Sequence, residues 1–401
     1  MSYFFPNRKK EERAVSITQN PTAAQLVAFY GMSDFGNLPA VSVKEALRVP
    51  AVLAAVTFLS RTLSSLDRKA YKKTASGDIP IGGKLGIITS EAPNPEWSAA
   101  ALSKYFWQQV FTHGRGLMYI ERRNGQPDSI WPMDSSNVSV RIEANGTKNY
   151  YAGERVYSGA DIIDVPFMLQ DDQVSVFSPI SRGAAAIRLA LAMETFASGF
   201  FAGGGVPPLA LTGPMPSGAD AVQRAMNDVH RAIDAARRTD KPVFPLPPDY
   251  KLEPVGFDPE KGQMTEARRF QIEEIARVYQ LPPVFLQDLT HGTFTNTEQQ
   301  DLHLSKHVVS QWAGELEQEM NLKIFGQTSN RRFIRHDLNS LMRGDFPSRI
   351  DGLVKGVQGG VFKPNEARAK EGLPAEPNGD DLMIQGATVA IGTQGDQSND
   401  A

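Results

Sequence analysis

DPEKGQMTEARRFQIEEIARVYQLPPVFLQDLTHGTFTNTEQQDLHLSKHVVSQWAGELEQEMNLKIF, residues 258–325, reads as two helices joined by one long loop. In the first helix Ile272, Ile275, Ala276 and Tyr279 recur at i, i+3, i+4 and i+7, which puts an apolar stripe on one face. Along the other side Glu266 meets Arg269 and Glu273 meets Arg277, at spacings that let opposite charges pair on a helix. Pro282 and Pro283 stop it, because the residue before a proline is pushed out of the helical region and proline donates no hydrogen bond. The second helix opens on Thr295, three residues ahead of Glu298 in a capping-box spacing. Leu304, Val308, Trp312 and Leu316 then follow at four-residue steps. Between the helices, Pro282 to Phe294 has no period. A connection of that length inside a compact domain is usually functional or disordered.

The run Glu273 to Gln300, EEIARVYQLPPVFLQDLTHGTFTNTEQQ, resembles the hallmark segment of the phage portal family, the head-to-tail connectors of tailed phages with long non-contractile tails. Its specificity lies in joining a helix, a Pro-Pro stop and an Asn-x-Glu-Gln helix start at fixed spacing. The resemblance implies an α+β portal-type fold: an α/β wing, a two-helix stem, a small α/β clip, a tunnel loop with a long helix, and a helical crown. It also implies that Gln287, Asp288, Thr290, His291, Gly292, Thr293 and Phe294 form the tunnel loop facing a DNA channel. Lys261, Glu266, Arg268, Arg269 and Glu273 are the candidates to face that channel from the stem.

Composition is compatible with this and does not single it out. The 401-residue chain can bury a sizeable core and divide into more than one domain. It contains no cysteine, which excludes disulfides, Cys-ligated zinc, iron–sulfur clusters and thiol catalysis. The start MSYFFPNRKKEERAV lacks the apolar core of a signal peptide, and the run Ala51 to Leu59 is too short to span a bilayer. The expectation is no secretion and no membrane insertion. The net charge of −3 argues against a tight nucleic-acid binder, since phosphate contacts need a basic patch. Residues 258–280 carry five acidic groups against four basic ones. A conduit through which DNA slides is compatible with that balance, because strong phosphate contacts would add drag.

Taken in order, residues 1–40 read as a loosely ordered arm. VSVKEALRVPAVLAAVTFLSRTLSSLDRKAYKK, from Val41, gives a helix with Val52, Val56, Leu59 and Leu63 on one side and a strand near Arg68 to Lys73. Pro93 and Asn94 turn the chain into a helix from Ser98 to Phe111 with an apolar face of Leu102, Tyr105, Phe106 and Val110. Leu117 to Arg122 and Ser129 to Met133 form a hairpin around Asn124-Gly125. A second hairpin spans Val140 to Tyr151 around Asn145-Gly146, and Asp161 to Val165 reads as a short buried strand. Ser178-Pro179-Ile180 opens a helix to about Phe201, with Ser as N-cap and Pro in the first turn. Residues 204–256 read as a hairpin-like excursion with a helix from Asp220 to Arg238. Arg331 to Met342 reads as a strand and turn, and Pro347 to Gly372 as two short helices joined at Gly359-Gly360. The residues Asn365, Glu366, Ala367 and Arg368, then Gly372-Leu373-Pro374 and Gly379-Asp380, are similar to the family's C-terminal pattern; by themselves they read as a helix capped at Asn365. From about Gly386 the tail is polar and reads as disordered.

By this resemblance the wing is 41–179 and 296–345, the stem helices 180–203 and 257–281, the clip 204–256, the tunnel loop 282–295 and the crown 346–385. One departure is Val176, where the family usually has Gly two residues before Ser178. The implied protein is a structural subunit of a ring of twelve at one capsid vertex, the channel for double-stranded DNA during packaging and ejection. Its implied partners are copies of itself, the terminase large subunit, the major capsid protein and a head-tail adaptor. Its implied location is the virion, with assembly in the host cytoplasm.

Catalytic constellations are weak. Gly77 and Gly82-Gly83-Lys84 lack phosphate-loop spacing, and Leu85 stands where a magnesium-ligating hydroxyl belongs. His303 and His307 lie one turn apart without the zincin glutamate. Asp171-Asp172 and Asp380-Asp381 sit in turn-like sequence, where acidic residues serve local hydrogen bonds. The expectation is no enzyme and no cofactor; the alternatives are a non-portal virion adaptor and an α+β hydrolase using those acidic turns.

Overall fold

The computed structural model describes residues 40–75, 77–202, 209–212, 224, 227, 231, 251–254, 264–286, 300–327, 331–338 and 346–383. It divides at His336 into two units, each described by itself. No helix among the described residues is long and apolar enough to cross a membrane.

The first unit begins with α1 (Val43–Ala46), held by a capping box in which the Ser42 hydroxyl accepts from the Glu45 N–H and the Glu45 carboxylate accepts from the Ser42 N–H. Next, α2 (Pro50–Ser64) starts on a proline, whose missing N–H costs nothing at the first helical position. It buries Val52, Val56, Leu59 and Leu63, the face its periodicity predicts. Strand β1 (Arg68–Thr74) pairs on one side with β2 (Gly77–Pro80). A short α3 (Gly83–Ser90) leads to α4 (Ala99–His113), capped by Ser98 and closed by Gly114 at φ 83°. Gly114 is required twice over: its backbone is left-handed, and a Cβ there would stand 2.8 Å from the Phe177 carbonyl oxygen.

The single apolar face expected for α4 is too narrow. Trp107 and Phe111 are buried as fully as Leu102, Phe106 and Val110, because α4 packs against α2 and also against a sheet. Trp312 meets Phe111 edge-on at 5.5 Å and stacks with Phe167 at 5.6 Å, so one aromatic cluster joins three distant segments. Each fully buried large apolar side chain contributes about 1.5–3 kcal/mol.

That sheet has the order β4-β3-β8, from β3 (Arg115–Arg123), β4 (Gln126–Met133) and β8 (Ile162–Pro166), all antiparallel. Asn124 and Gly125, at φ 52° and 75°, make the two-residue turn that Asn-Gly predicts. The register slips near Asp128, which pairs with Lys84 and lies 3.5 Å from Arg123. Lys84 is thereby committed to a carboxylate. A second meander, β5 (Val138–Ile142), β6 (Lys148–Ala152) and β7 (Arg155–Ser158), shares an apolar core of Leu117, Met133, Tyr150 and Ile162 with the first sheet. The β7 strand, four residues with only one half-buried position, has no sequence signal.

Ser178 caps α5 (Pro179–Arg182) as expected, but the helix anticipated through Phe201 breaks at Gly183 and resumes as α6 (Ala184–Ala202). There a Cβ would come 3.2 Å from Val278, so the break is where a second helix crosses closely. Strands β9 (Leu209–Thr212) and β10 (Lys251–Pro254) pair antiparallel and close the excursion between them. Of the helix expected over 220–238, positions 224, 227 and 231 are described, helical and exposed. The remaining elements of this unit are α7 (Met264–Val278), α8 (Ser310–Phe325) and β11 (Arg332–His336). Strand β11 pairs with β1, Arg68 opposite His336.

The β1–β11 junction is tied to α8 by polar groups. The Asn321 side chain accepts from the Ile334 N–H at 2.6 Å and donates to its carbonyl at 3.3 Å. His336 is buried, and its Nδ1 lies 2.9 Å from Glu317 Oε1. Burial is the main reason its pKa is lowered below 6.5, and the Arg68 cation lowers it further against the opposing pull of Glu317. Arg68 is itself held down to about 10 by burial. A folded-state pKa below 6.5 means that the unfolded chain takes up the proton first as pH falls, so stability from neutral His336 is complete above 6.5 and lost on acidification down to the folded value. Urea unfolding of the wild type should show this loss, at most about 1.4 kcal/mol per pH unit. In His336→Gln that component should vanish; an unchanged pH slope would assign it elsewhere.

The second unit holds α9 (Phe346–Gln358) and α10 (Pro364–Lys370), clasped by Arg349 to Glu371 through two bonds of 2.8 and 2.9 Å. Asn365 does not cap α10: the helix starts a residue earlier, and Glu366 accepts from the Lys363 N–H. Buried Asn365 instead accepts from the Glu376 N–H and donates to the Glu376 carbonyl and the Asp380 carboxylate. Gly379 lies against it so closely that a Cβ would sit 2.3 Å from its side-chain oxygen. The spacing from Asn365 to Gly379-Asp380 is therefore a packing motif.

Candidate functional site

The stretch that organises the sequence also organises this part of the structure. Helix α7 packs against α6 and α2, burying Ile275, Ala276 and Tyr279 and half-burying Ile272, the predicted stripe. It ends before the prolines take effect. Gln280 adopts a left-handed φ of 56°, the Leu281 N–H bonds the Ala276 carbonyl and the Gln280 N–H bonds the Arg277 carbonyl, which is a Schellman closure with Gln in the usual glycine place. Buried Leu281 completes it. The Tyr279 hydroxyl, kept protonated by burial, donates to the Phe111 carbonyl at 3.2 Å.

Pro283–Leu286 forms one tight 3₁₀ turn, with Phe285 stacked on Phe58 at 5.0 Å and Leu286 buried. The chain thus leaves for the loop from a fixed point. Gln287, Asp288, Thr290, His291, Gly292, Thr293 and Phe294 lie outside the described residues, as do Lys261 and the Thr295–Glu298 spacing. Helix is described again from residue 300 and runs into α8 through a five-residue π turn, Ser305–Val309, where the Ser310 N–H bonds the Ser305 carbonyl. This turn inserts one residue into the buried row: Leu304 and Val308 are followed by Val309, Ala313 and Leu316. The steps of four read from the sequence carry no trace of it.

Among the described stem candidates, Glu266, Arg269 and Glu273 share one side of α7, while Arg268 lies toward α2 and α6. Glu273 pairs with Arg277 at 3.0 Å as its spacing predicts, and Glu274 joins the same guanidinium. Such half-exposed pairs contribute about 0.3–0.5 kcal/mol. Between α2, α6 and α7 opens a cavity of about 490 Å³, with Gln271 in its wall. Gln271 is 7% exposed, and its Oε1 has no hydrogen-bond partner among the described residues. Its only sequence signal is position: an amide one turn before Ile275, inside an apolar stripe.

The alternative chemical candidates resolve into local structure. The His303 and His307 rings lie 4.8 Å apart and tilted by 44° on an exposed face, and the described residues contain no group of three metal-ligating side chains. Asp172 accepts from the Ser175 hydroxyl and from the Val174 and Ser175 N–H groups in a turn, which together hold its carboxyl below the usual range. Asp380 accepts from Asn365.

Comparison with known proteins gives one consistent family. The family model described as phage portal protein matches residues 50–372. A curated probable portal protein of Streptomyces phage phiC31 is 26% identical over 361 residues, covering 84% of this chain and 78% of that protein. The crystal structure of an HK97-family phage portal protein from Corynebacterium diphtheriae superposes with a TM-score of 0.54 at 16% identity, over 75% of this chain and 96% of that one. A chain from the neck of a native GTA particle with C12 symmetry gives a TM-score of 0.54 at 18% identity, over 86% and 98%. The mixed helix-and-sheet fold is thus that of solved portal structures.

Proposed function

Because the chain belongs to the phage portal protein family, we propose that it is a structural subunit of a ring at one capsid vertex, surrounding a passage for double-stranded DNA. In this reading it performs no reaction; the work of moving DNA comes from a separate ATPase, the terminase large subunit docked on the ring. The major capsid protein holds the ring's outside, and a head-tail adaptor replaces the terminase once the genome is in. Assembly takes place in the host cytoplasm and the finished ring resides in the virion, of a phage or of a gene transfer particle.

The observation that carries this is the continuity of the match, residues 50–372, across the three three-stranded sheets, the α6–α7 pair, the closed β9–β10 excursion and the segment that follows Leu286. In the proposed division α6 and α7 are the stem, the excursion is the clip, the three three-stranded sheets with α8 belong to the wing, and residues 346–385 are the crown. Residues 287–294 project into the passage and touch DNA through backbone and small side chains, without reading sequence. Glu266, Arg269 and Glu273 lie along the passage wall, a mixed-charge surface that does not grip phosphate. Arg268 stands apart from them.

A ring of twelve is supported by the C12 symmetry of the related GTA neck. Native mass spectrometry and negative-stain microscopy of the purified protein test it: the expected result is a perforated ring with about twelve protomers. A stable monomer would defeat the portal reading in favour of an enzyme, and a ring of another number would correct the stoichiometry alone.

A further inference from the structure

We propose that Phe270 of one copy of this chain seats in the α2–α6–α7 cavity of the next copy, making that cavity one half of the subunit seam. The inference rests on the ring reading above and adds where the ring is sewn. A cyclic assembly needs head-to-tail contacts, so each subunit must present two different surfaces that fit each other. Helix α7 carries both. Its Ile275 and Arg268 line the cavity, and Phe270 lies roughly 140–160° round the helix from them, at about 100° per residue.

Phe270 is a large aromatic side chain left 53% exposed, with the Arg277 guanidinium 5.8 Å from its ring centre. Phenylalanine and arginine are both among the residue types enriched at protein interfaces. The cavity is shaped to receive such a group. Its volume of about 490 Å³ has a buried apolar floor that includes Met193, Ile275 and Leu286. Its exposed edge carries Glu194 and Arg268. The two surfaces are complementary in charge: Arg277 and Glu274 flank the aromatic ring, and Glu194 and Arg268 stand at the cavity edge. Gln271 Oε1, buried in the cavity wall, accepts no hydrogen bond among the described residues. The Arg277 guanidinium has donors to spare beyond its two carboxylate contacts and can satisfy that acceptor.

Since the sequence has no cysteine, introduced thiols are the sole targets of a maleimide. In the variant Ala54→Cys/Glu266→Cys one thiol sits in the cavity wall and the other one turn from Phe270, with Phe270, Arg268 and Arg277 all retained. Treated with a short bis-maleimide, assembled protein should give a ladder of covalent multimers on a denaturing gel, and neither single variant should. In parallel, Phe270→Ala, a change at an exposed position, should raise the protein concentration for half-assembly at least about tenfold. Rings that form normally with Phe270→Ala and yield no ladder from the double variant would overturn the seam and leave the ring reading standing. Absence of any ring from the unmodified protein would remove both.

Discussion

A chain lacking Thr290, His291, Gly292 and Thr293 should assemble into the same ring as the full protein and fail to package or retain DNA. Assembly should survive because the two flanks are anchored independently of the loop. On one side stand the Tyr279–Phe111 bond, the Schellman closure at Gln280, the Phe285–Phe58 stack and buried Leu286. On the other, Leu304, Val308 and Val309 bury the returning helix. Shortening the span 287–299 by four residues changes its closure entropy by only ~0.3 kcal/mol, too little to disturb either anchor. Function should be lost because, in the proposed reading, these residues are what meets DNA at the narrowest point. The measurement is nuclease-protected DNA per particle, alongside native mass spectrometry of the ring. Packaging at the full-length level would refute the loop assignment, and a failure to form rings would show that the loop has an architectural role.

Asp164→Ala should cost about 3–5 kcal/mol of stability, the penalty for leaving a buried charge without its partner. Asp164 and Arg115 face each other at 2.9 Å with side chains only 7% and 9% exposed, a contact close enough for an ion pair though misaligned for a hydrogen bond. The other Asp164 oxygen accepts from the Tyr150 hydroxyl at 2.7 Å, and the Arg115 guanidinium donates to the Val174 carbonyl at 2.8 Å. Burial first, and the adjoining carboxylate second, push the Tyr150 hydroxyl well above its ordinary pKa, so it remains a donor. Around this pair lies Glu319, raised in pKa by burial, whose carboxylate accepts from the Asp164 N–H at 3.4 Å. Truncating Asp164 therefore strands Arg115 and the Tyr150 hydroxyl together. Replacing both charged partners, as Arg115→Met/Asp164→Leu, should recover much of the loss, because the desolvation cost disappears with the charges. Urea unfolding of the single and double variants separates these outcomes; a loss below about 1 kcal/mol for Asp164→Ala would mean the pair is solvated.

Much of the architecture can be read one segment at a time. The stripe on α7, the buried face of α2, the Asn124-Gly125 turn and the Ser98 and Ser178 caps all appear where local pattern puts them. Each depends on contacts within a few residues, and periodicity reports such contacts directly. The misses have a shared cause. Gly183 interrupts a helix at the point where Val278, far along the chain, comes close enough that a Cβ would stand 3.2 Å from its side chain. Trp107 is buried because a sheet and Trp312 cover the side of α4 that its own pattern leaves open.

What the sequence by itself determined is the buried face of α2, the stripe of α7, the Asn124-Gly125 hairpin and the absence of thiol chemistry, because these follow from local geometry and composition. Only the tertiary structure decided that β1 would find β11, that Asp164 would face Arg115 in the interior, and that Gln271 would stand in a cavity wall facing away from an exposed Phe270. Those outcomes depend on which distant surfaces exclude water together, and no window of neighbouring residues contains that information.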